Sequence, residues 1–174
     1  MTPLDLAKLE NYLTDVYQLK NVIRYNTRPI LKQESVAEHS FYVALFALKI
    51  CDDKGIDEAT KIKAVIKALL HDMPEIELND ITHNVKEKLN LRPFLKKYED
   101  EYFAKNYARY YELMSDTDTL VDAIVDLADA WSVYQYAHNE VMLGNNSSQI
   151  KDIYNEIYKR IEKLTSQLDA KLKE

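Results

Sequence analysis

The sequence predicts an all-α fold, and three observations carry that prediction. Turn chemistry is scarce: Gly55 and Gly144 are the two glycines among 174 residues, with four prolines. Strands need turns that such a chain does not supply. Apolar residues recur at three- and four-residue spacing along most of the chain, the period of an amphipathic helix. The apolar share of 47% and charged share of 30% are those of a globular protein with one ordinary core. About six or seven helices in a compact bundle are expected, forming a single domain over residues 1–174.

Residues 4–17 carry Leu6, Leu9, Leu13 and Val16 at helical spacing, with Asp5 and Glu10 suited to the N-terminal half. A second short helical segment is expected over 18–25. Pro29 then interrupts the pattern, and TRPILKQES reads as a loop. Ser35 can cap the next helix, with Glu38 as its capping-box partner. Val36, Ala37, Ser40, Val43, Ala44, Ala47 and Leu48 give that helix a face of mostly small residues, open to close approach by a neighbour. It should end near Cys51, with Gly55 as a candidate C-cap.

Asp57 can cap a helix running through IKAVIKALLHD to about Asp72. Residues 76–93 are less regular. Asn79, Asp80, Thr82 and Asn84 are cap or turn formers, and a short helix is expected from Val85 to Leu89. Pro93 opens a Tyr-rich helix ending near Met114. SDTD is a turn and cap. The helix from about Thr119 to Leu143 is apolar on more than one side, which makes it central. Gly144-Asn145-Asn146 stops it. Ser147 or Ser148 caps a last amphipathic helix carrying Ile150, Ile153, Ile157, Ile161, Leu164 and Leu168.

Composition also excludes classes. No apolar run is long and uncharged enough to span a membrane. The start, MTPLDLAKLENYL, lacks the basic and apolar regions of a signal peptide. Cys51 is the single cysteine, so no internal disulfide forms, and a cytoplasmic location is expected. The net charge of -6 weighs against a nucleic-acid polymer as partner, which needs clustered positive charge. A small anionic ligand needs only a local metal and a few cations. Several of the 13 tyrosines fall in YFAKNYARYY, where their spacing suits core or subunit-interface packing more than base stacking.

Four side chains suggest a metal centre, because imidazole and carboxylate ligands suit divalent transition metals. His39 follows Ser35 by about one turn. His71 and Asp72 are adjacent at a helix end, where a distorted last turn lets neighbours converge. Asp129 lies between two alanines in the central helix, and a buried carboxylate needs a partner. Asp126 and Asp122 share its side of the helix, so acidic spacing alone does not choose among them. Asp129 is favoured because it lies nearer the apolar arc. For each histidine the competing reading is an ordinary hydrogen-bonded residue, and for Asp72 a solvated helix end.

The ordered segments EHS (His39), LLHDMPE (His71, Asp72) and LADA (Asp129) resemble the HD-domain metal-dependent phosphohydrolases. Within these the chain is most similar to the compact YfbR-like bacterial 5'-deoxynucleotidases. The resemblance runs from about Arg24 to Asn146. It implies one divalent cation (Co, Mn, Zn, Mg or Fe) held by His39, His71, Asp72 and Asp129. It also matches Arg24-Tyr25 before the first histidine, Glu75 and Asp80 after the His-Asp pair, then Lys86, and Gly144-Asn145. Two departures stand out. Tyr25 replaces the usual tryptophan, and Asn79-Asp80-Ile81-Thr82 lacks the family's glycine and proline. Both bear on substrate choice more than on the metal set.

The implied activity is hydrolysis of deoxyribonucleoside 5'-monophosphates to deoxynucleosides and orthophosphate. Glu75 or Asp80 is the candidate acid-base residue. Arg24, with its fixed guanidinium fork, and Lys86 are candidate phosphate contacts, and Tyr25 a contact to sugar or base. His83 is a weaker candidate contact, His138 a structural one, and Arg28 has no assigned role. A triphosphohydrolase releasing intact triphosphate is the enzymatic alternative. A non-catalytic helical interaction domain is the other, opposed by the complete ligand set. The resemblance also implies a homodimer.

Overall fold

The computed structural model describes residues 6–117 and 119–173, apart from the side chains at 7–9, 11, 15 and 83. The expectations placed on Asp5, Leu9, Asp118 and the side chain of His83 lie outside the described residues. The elements are α1 (Leu6–Gln18), α2 (Val36–Lys54), α3 (Glu58–Leu70), α4 (Glu75–Leu78), α5 (His83–Lys88), α6 (Arg92–Asn106), α7 (Tyr111–Ser115), α8 (Leu120–Met142) and α9 (Ser148–Lys171). They exceed the roughly six or seven expected, because α4 forms in a stretch read as irregular and the single helix expected from Pro93 to about Met114 divides into α6 and α7.

The long helices start and stop where their caps dictate. Ser35 and Glu38 form the capping box of α2, and Gly55 closes it in the left-handed conformation at φ 65°. Asp57 caps α3, and Ser147 caps α9. Thr119 and Asp122 form a second capping box at α8. The small residues of α2 permit the expected close packing: Val43, Ala44 and Ala47 are buried with Ala64 and Ala68 of α3 and Ile124 and Ala128 of α8. Leu48 is exposed instead. The central role of α8 is borne out, since it packs against α2, α3 and α9. Ile157, Ile161 and Leu168 of α9 close the core from its far side.

Two stretches differ from expectation. The chain after α1 makes only a 3₁₀ turn at Leu19–Asn21, then extends. Ile23 and Ser35 pair in an antiparallel bridge. The Tyr-rich stretch is broken, because Tyr107 leaves helical geometry at φ -135°, ψ 43°. Its ring is buried beside Tyr102 and Phe103, with centroids 6.0 and 5.9 Å away. Burying that aromatic surface offsets the interrupted helical hydrogen bonds. Tyr102 and Tyr107 pack internally, Tyr110 is half-buried and Tyr111 is exposed. No described helix is long and apolar enough to cross a membrane.

Candidate metal centre

Three helices bring their polar residues to one point. The capping box starts α2 one turn before His39, so the His39 ring faces inward from a rigid first turn. The Glu38 amide donates to Ser35 Oγ at 3.2 Å, and the Ser35 amide donates to Glu38 Oε2 at 2.8 Å. His39 is only 1% exposed. Its Nδ1 meets the Ser132 hydroxyl of α8 at 3.0 Å, which leaves Nε2 turned toward the end of α3. That buried nitrogen has no hydrogen-bond partner.

The end of α3 supplies the pair that a regular helix would splay apart. Helical hydrogen bonding stops at Leu70, and His71 and Asp72 occupy the turn that follows. His71 Nδ1 lies 2.7 Å from the Ala68 carbonyl oxygen. A carbonyl only accepts, so Nδ1 donates, and a neutral ring then offers Nε2 as a free lone pair. Asp72 Oδ2 is 3.3 Å from His71 Nε2 and 3.7 Å from His39 Nε2. Asp129 Oδ1 approaches His39 Nε2 to 3.2 Å from the α8 side.

The separations among His39, His71 and Asp72 approach those of ligands around one cation. Donors about 2.0–2.2 Å from an ion at tetrahedral angles stand roughly 3.3–3.6 Å apart. The candidate donor atoms of His39, His71 and Asp72 all lie within 4.8 Å of one another; Asp129 stands outside that group and approaches it at His39. The three α8 carboxylates also differ in their surroundings. Asp122 is occupied by Lys67 at 2.6 Å and by the capping of Thr119. Asp126 is exposed. Asp129 alone of the three contacts His39 among the described ion pairs.

The electrostatics suit a cation too. Burial opposes ionisation of Asp129, but His39, Arg24 and His71 outweigh it and hold its carboxyl well below the usual range. Asp72 behaves likewise, with His71, His39 and Arg24 overcoming its burial. Burial and the charge of Arg24 lower the His39 pKa against the pull of Asp129. Neutral imidazoles beside ionised carboxylates are the protonation states a cation needs.

The remaining candidates surround this centre. Arg24 Nη1 stands 3.9 Å from Asp72 Oδ2, and its Nε 3.7 Å from Glu34 Oε2. Burial disfavours its charge, yet Tyr25, Asp72, Asp129 and Glu34 keep it more firmly protonated than usual. Tyr25 has φ 55°, a left-handed conformation that is unfavourable by about 1–2 kcal/mol for a residue with a side chain. Its amide donates to Asp80 Oδ2 at 3.0 Å, and its ring stacks on Tyr136 at 4.6 Å. Asp80 therefore reaches the centre through the Tyr25 backbone.

Glu75 lies on the other side, in a small cleft with His71, Asp72, Lys86 and Glu99. Burial, then the charges of Asp72 and Asp80, push its carboxyl up to about 9 against Lys86 and Arg24. Lys86 Nζ is 4.0 Å from Glu75 Oε1. Arg28 lies elsewhere and donates to Gln149. His138 packs against the stacked pair of Tyr134 and Tyr154, as a structural residue would.

Sequence reasoning missed several neighbours. Ser132 orients His39, Glu34 flanks Arg24, and Tyr136 supports Tyr25. Arg160 of α9 comes within 3.9 Å of Asp129. The three-residue step from Asp129 to Ser132 was the one signal available, since it places both on one helix face.

The family model for 5'-deoxynucleotidase YfbR-like proteins matches residues 11–171. A 4'-phosphooxetanocin A phosphatase from Priestia megaterium is 27% identical over 148 residues, covering 79% of this chain and 76% of that protein. An HD-domain phosphohydrolase from Listeria innocua superposes with TM-score 0.74 at 21% identity, over 95% of this chain and 84% of the other. The cyanophage S-2L HD phosphohydrolase DatZ, bound to dA and one catalytic Zn2+ ion, gives TM-score 0.71 at 16% identity, over 92% and 95%. The likeness to these two structures establishes the all-α HD-domain fold.

Proposed function

This chain belongs to the YfbR-like 5'-deoxynucleotidase family and is a phosphohydrolase of deoxyribonucleoside 5'-monophosphates; we propose that its reaction takes place at His39, His71, Asp72 and Asp129 around one divalent cation. The observation that carries this reading is the buried His39 Nε2, unpartnered yet 3.2 and 3.7 Å from two carboxylates. A divalent cation held there supplies Lewis-acid polarisation of the phosphoester. The ion's identity is open among Co, Mn, Zn, Mg and Fe, and the Zn2+ of DatZ favours none for this chain.

The protein's own residues do the rest. Arg24, buried and fully charged, grips the phosphate oxygens with its planar fork. Lys86 adds a second positive charge from the cleft. Glu75 takes a proton from the attacking water. Water oxygen bonds to phosphorus, the P–O5' bond breaks, and that proton passes to the departing deoxynucleoside oxygen. Without a cation that carboxyl is pushed up to about 9; a cation beside Asp72 would favour its ionised form, which can accept the proton. Asp80, engaged with the Tyr25 amide, positions the loop that carries Arg24. Tyr25 packs against sugar or base. We read the whole chain as one catalytic domain, acting as a cytoplasmic homodimer.

A panel of ribo- and deoxyribonucleoside mono-, di- and triphosphates, with Mn, Co, Mg or Zn added and products separated by chromatography, tests this. Orthophosphate and deoxynucleoside from the deoxymonophosphates are expected. Intact triphosphate from a deoxytriphosphate would establish the alternative chemistry. No product under any metal would overturn both.

A further inference from the structure

One face of α8 runs from the proposed centre to the loop that bears Arg24 and Tyr25. Asp129, Ser132, Tyr136 and Glu140 follow at steps of three or four residues, so they line one stripe of the helix. Asp129 and Ser132 both contact His39. Tyr136 stacks under Tyr25, and its hydroxyl donates to the Lys32 carbonyl at 2.9 Å. Glu140 is the last in the stripe. It is 1% exposed and lies beyond hydrogen-bond reach of the centre's residues.

The Glu140 carboxylate is filled by the loop. Its Oε2 accepts from the Leu31 amide at 2.7 Å and its Oε1 from the Lys32 amide at 2.8 Å. Asn145, just past the end of α8, donates to the same Oε2 at 2.7 Å and to the Pro29 carbonyl at 2.6 Å. A buried carboxylate receiving three N–H donors is a strong fixed anchor. The loop it holds leads directly into the bridge of Ile23 with Ser35. There the Arg24 amide donates to the Glu34 carbonyl at 2.9 Å. Tyr25, beside it, sits in a left-handed conformation that persists only if its surroundings impose it.

We infer that Glu140, with Asn145, is a positioning residue that preorganises the Arg24-Tyr25 loop for the nucleotide while touching neither substrate nor metal ligands. This rests on the function proposed above for Arg24. A loop prepared before binding lowers the ordering cost that substrate otherwise bears. Loss of the anchor should therefore appear in KM.

The test is a double-mutant cycle. Steady-state hydrolysis of a deoxyribonucleoside 5'-monophosphate is measured for the wild type, E140Q, R24A and R24A/E140Q, with metal content per chain alongside. E140Q is expected to lose at least tenfold in kcat/KM, chiefly through KM, and to keep its metal. In the R24A background the same change is expected to lose less than threefold, because its effect is transmitted through Arg24. Equal losses in both backgrounds, an unchanged KM, or loss of metal from E140Q would overturn the inference. If E140Q does not fold, Y136F takes its place in the cycle, with the same KM-directed and Arg24-dependent loss expected.

Hydrogen exchange reads the anchor without activity. The Arg24 amide, which Glu140 does not touch, should exchange at least tenfold faster in E140Q while Val43 stays protected. An unchanged Arg24 amide would overturn the clamp. A wild type inactive on every deoxymonophosphate would instead sink the function on which the kinetic arm rests.

Discussion

His39 and Asp129 meet across the packed faces of α2 and α8, Nε2 to Oδ1 at 3.2 Å, and the nitrogen so presented is buried without a hydrogen-bond partner. An unsatisfied buried nitrogen is unfavourable by about 1–3 kcal/mol. A cation shared by His39, His71, Asp72 and Asp129 would turn that liability into a ligand.

Ser132→Ala leaves the His39 ring without its Nδ1 partner. Removal of an outer hydrogen bond of this kind typically weakens metal binding about 10–100-fold. Titration against a chromophoric chelator should show a loss in that range with little change in helicity. Unaltered affinity would mean that packing alone orients the ring.

Glu75→Gln should flatten the pH dependence of metal affinity. In the cation-free chain the Glu75 carboxyl is pushed up to about 9, so it is protonated at neutral pH. A cation beside Asp72 favours the ionised form and displaces that proton. Apparent affinity should then rise with pH until the carboxyl ionises unaided, near 9. Gln carries no such proton, so E75Q should give a shallower slope between about pH 7 and 9. Calorimetry in buffers of different ionisation enthalpy counts the released proton directly. Equal proton release by the two proteins would contradict the assignment.

Ser35→Ala removes the cap that starts α2 just before His39. Loss of an N-cap side chain is worth about 1 kcal/mol. Urea unfolding of the cation-free protein should show stability lowered by that amount, through a lower midpoint at an unchanged slope. No shift would place the start of α2 under tertiary control.

The legible parts of this molecule were those set locally. Ser35, Asp57 and Ser147 cap helices within three residues of themselves, and Gly55 ends one, so their boundaries could be read from neighbouring letters. His39, His71, Asp72 and Asp129 were legible by chemical type, and their convergence was expected from the resemblance. The break at Tyr107 carries no glycine or proline, since it is driven by burial of its ring against Tyr102 and Phe103. Glu34, Ser132, Tyr136 and Glu140 were hidden for a related reason. Each is an ordinary residue whose role arises from a partner beyond its own helical turn. Asp129 was favoured over Asp126 by its apolar neighbours and by the resemblance, and the direction of its side chain toward His39 is what spacing alone could not supply.

Elemental analysis of purified wild type, D129A and D126A tests the central claim most directly. The wild type should carry one divalent cation per chain, D126A should retain it, and D129A should lose most of it. A D129A protein that stays folded with its metal intact, or a D126A protein that loses it, would contradict the centre described above.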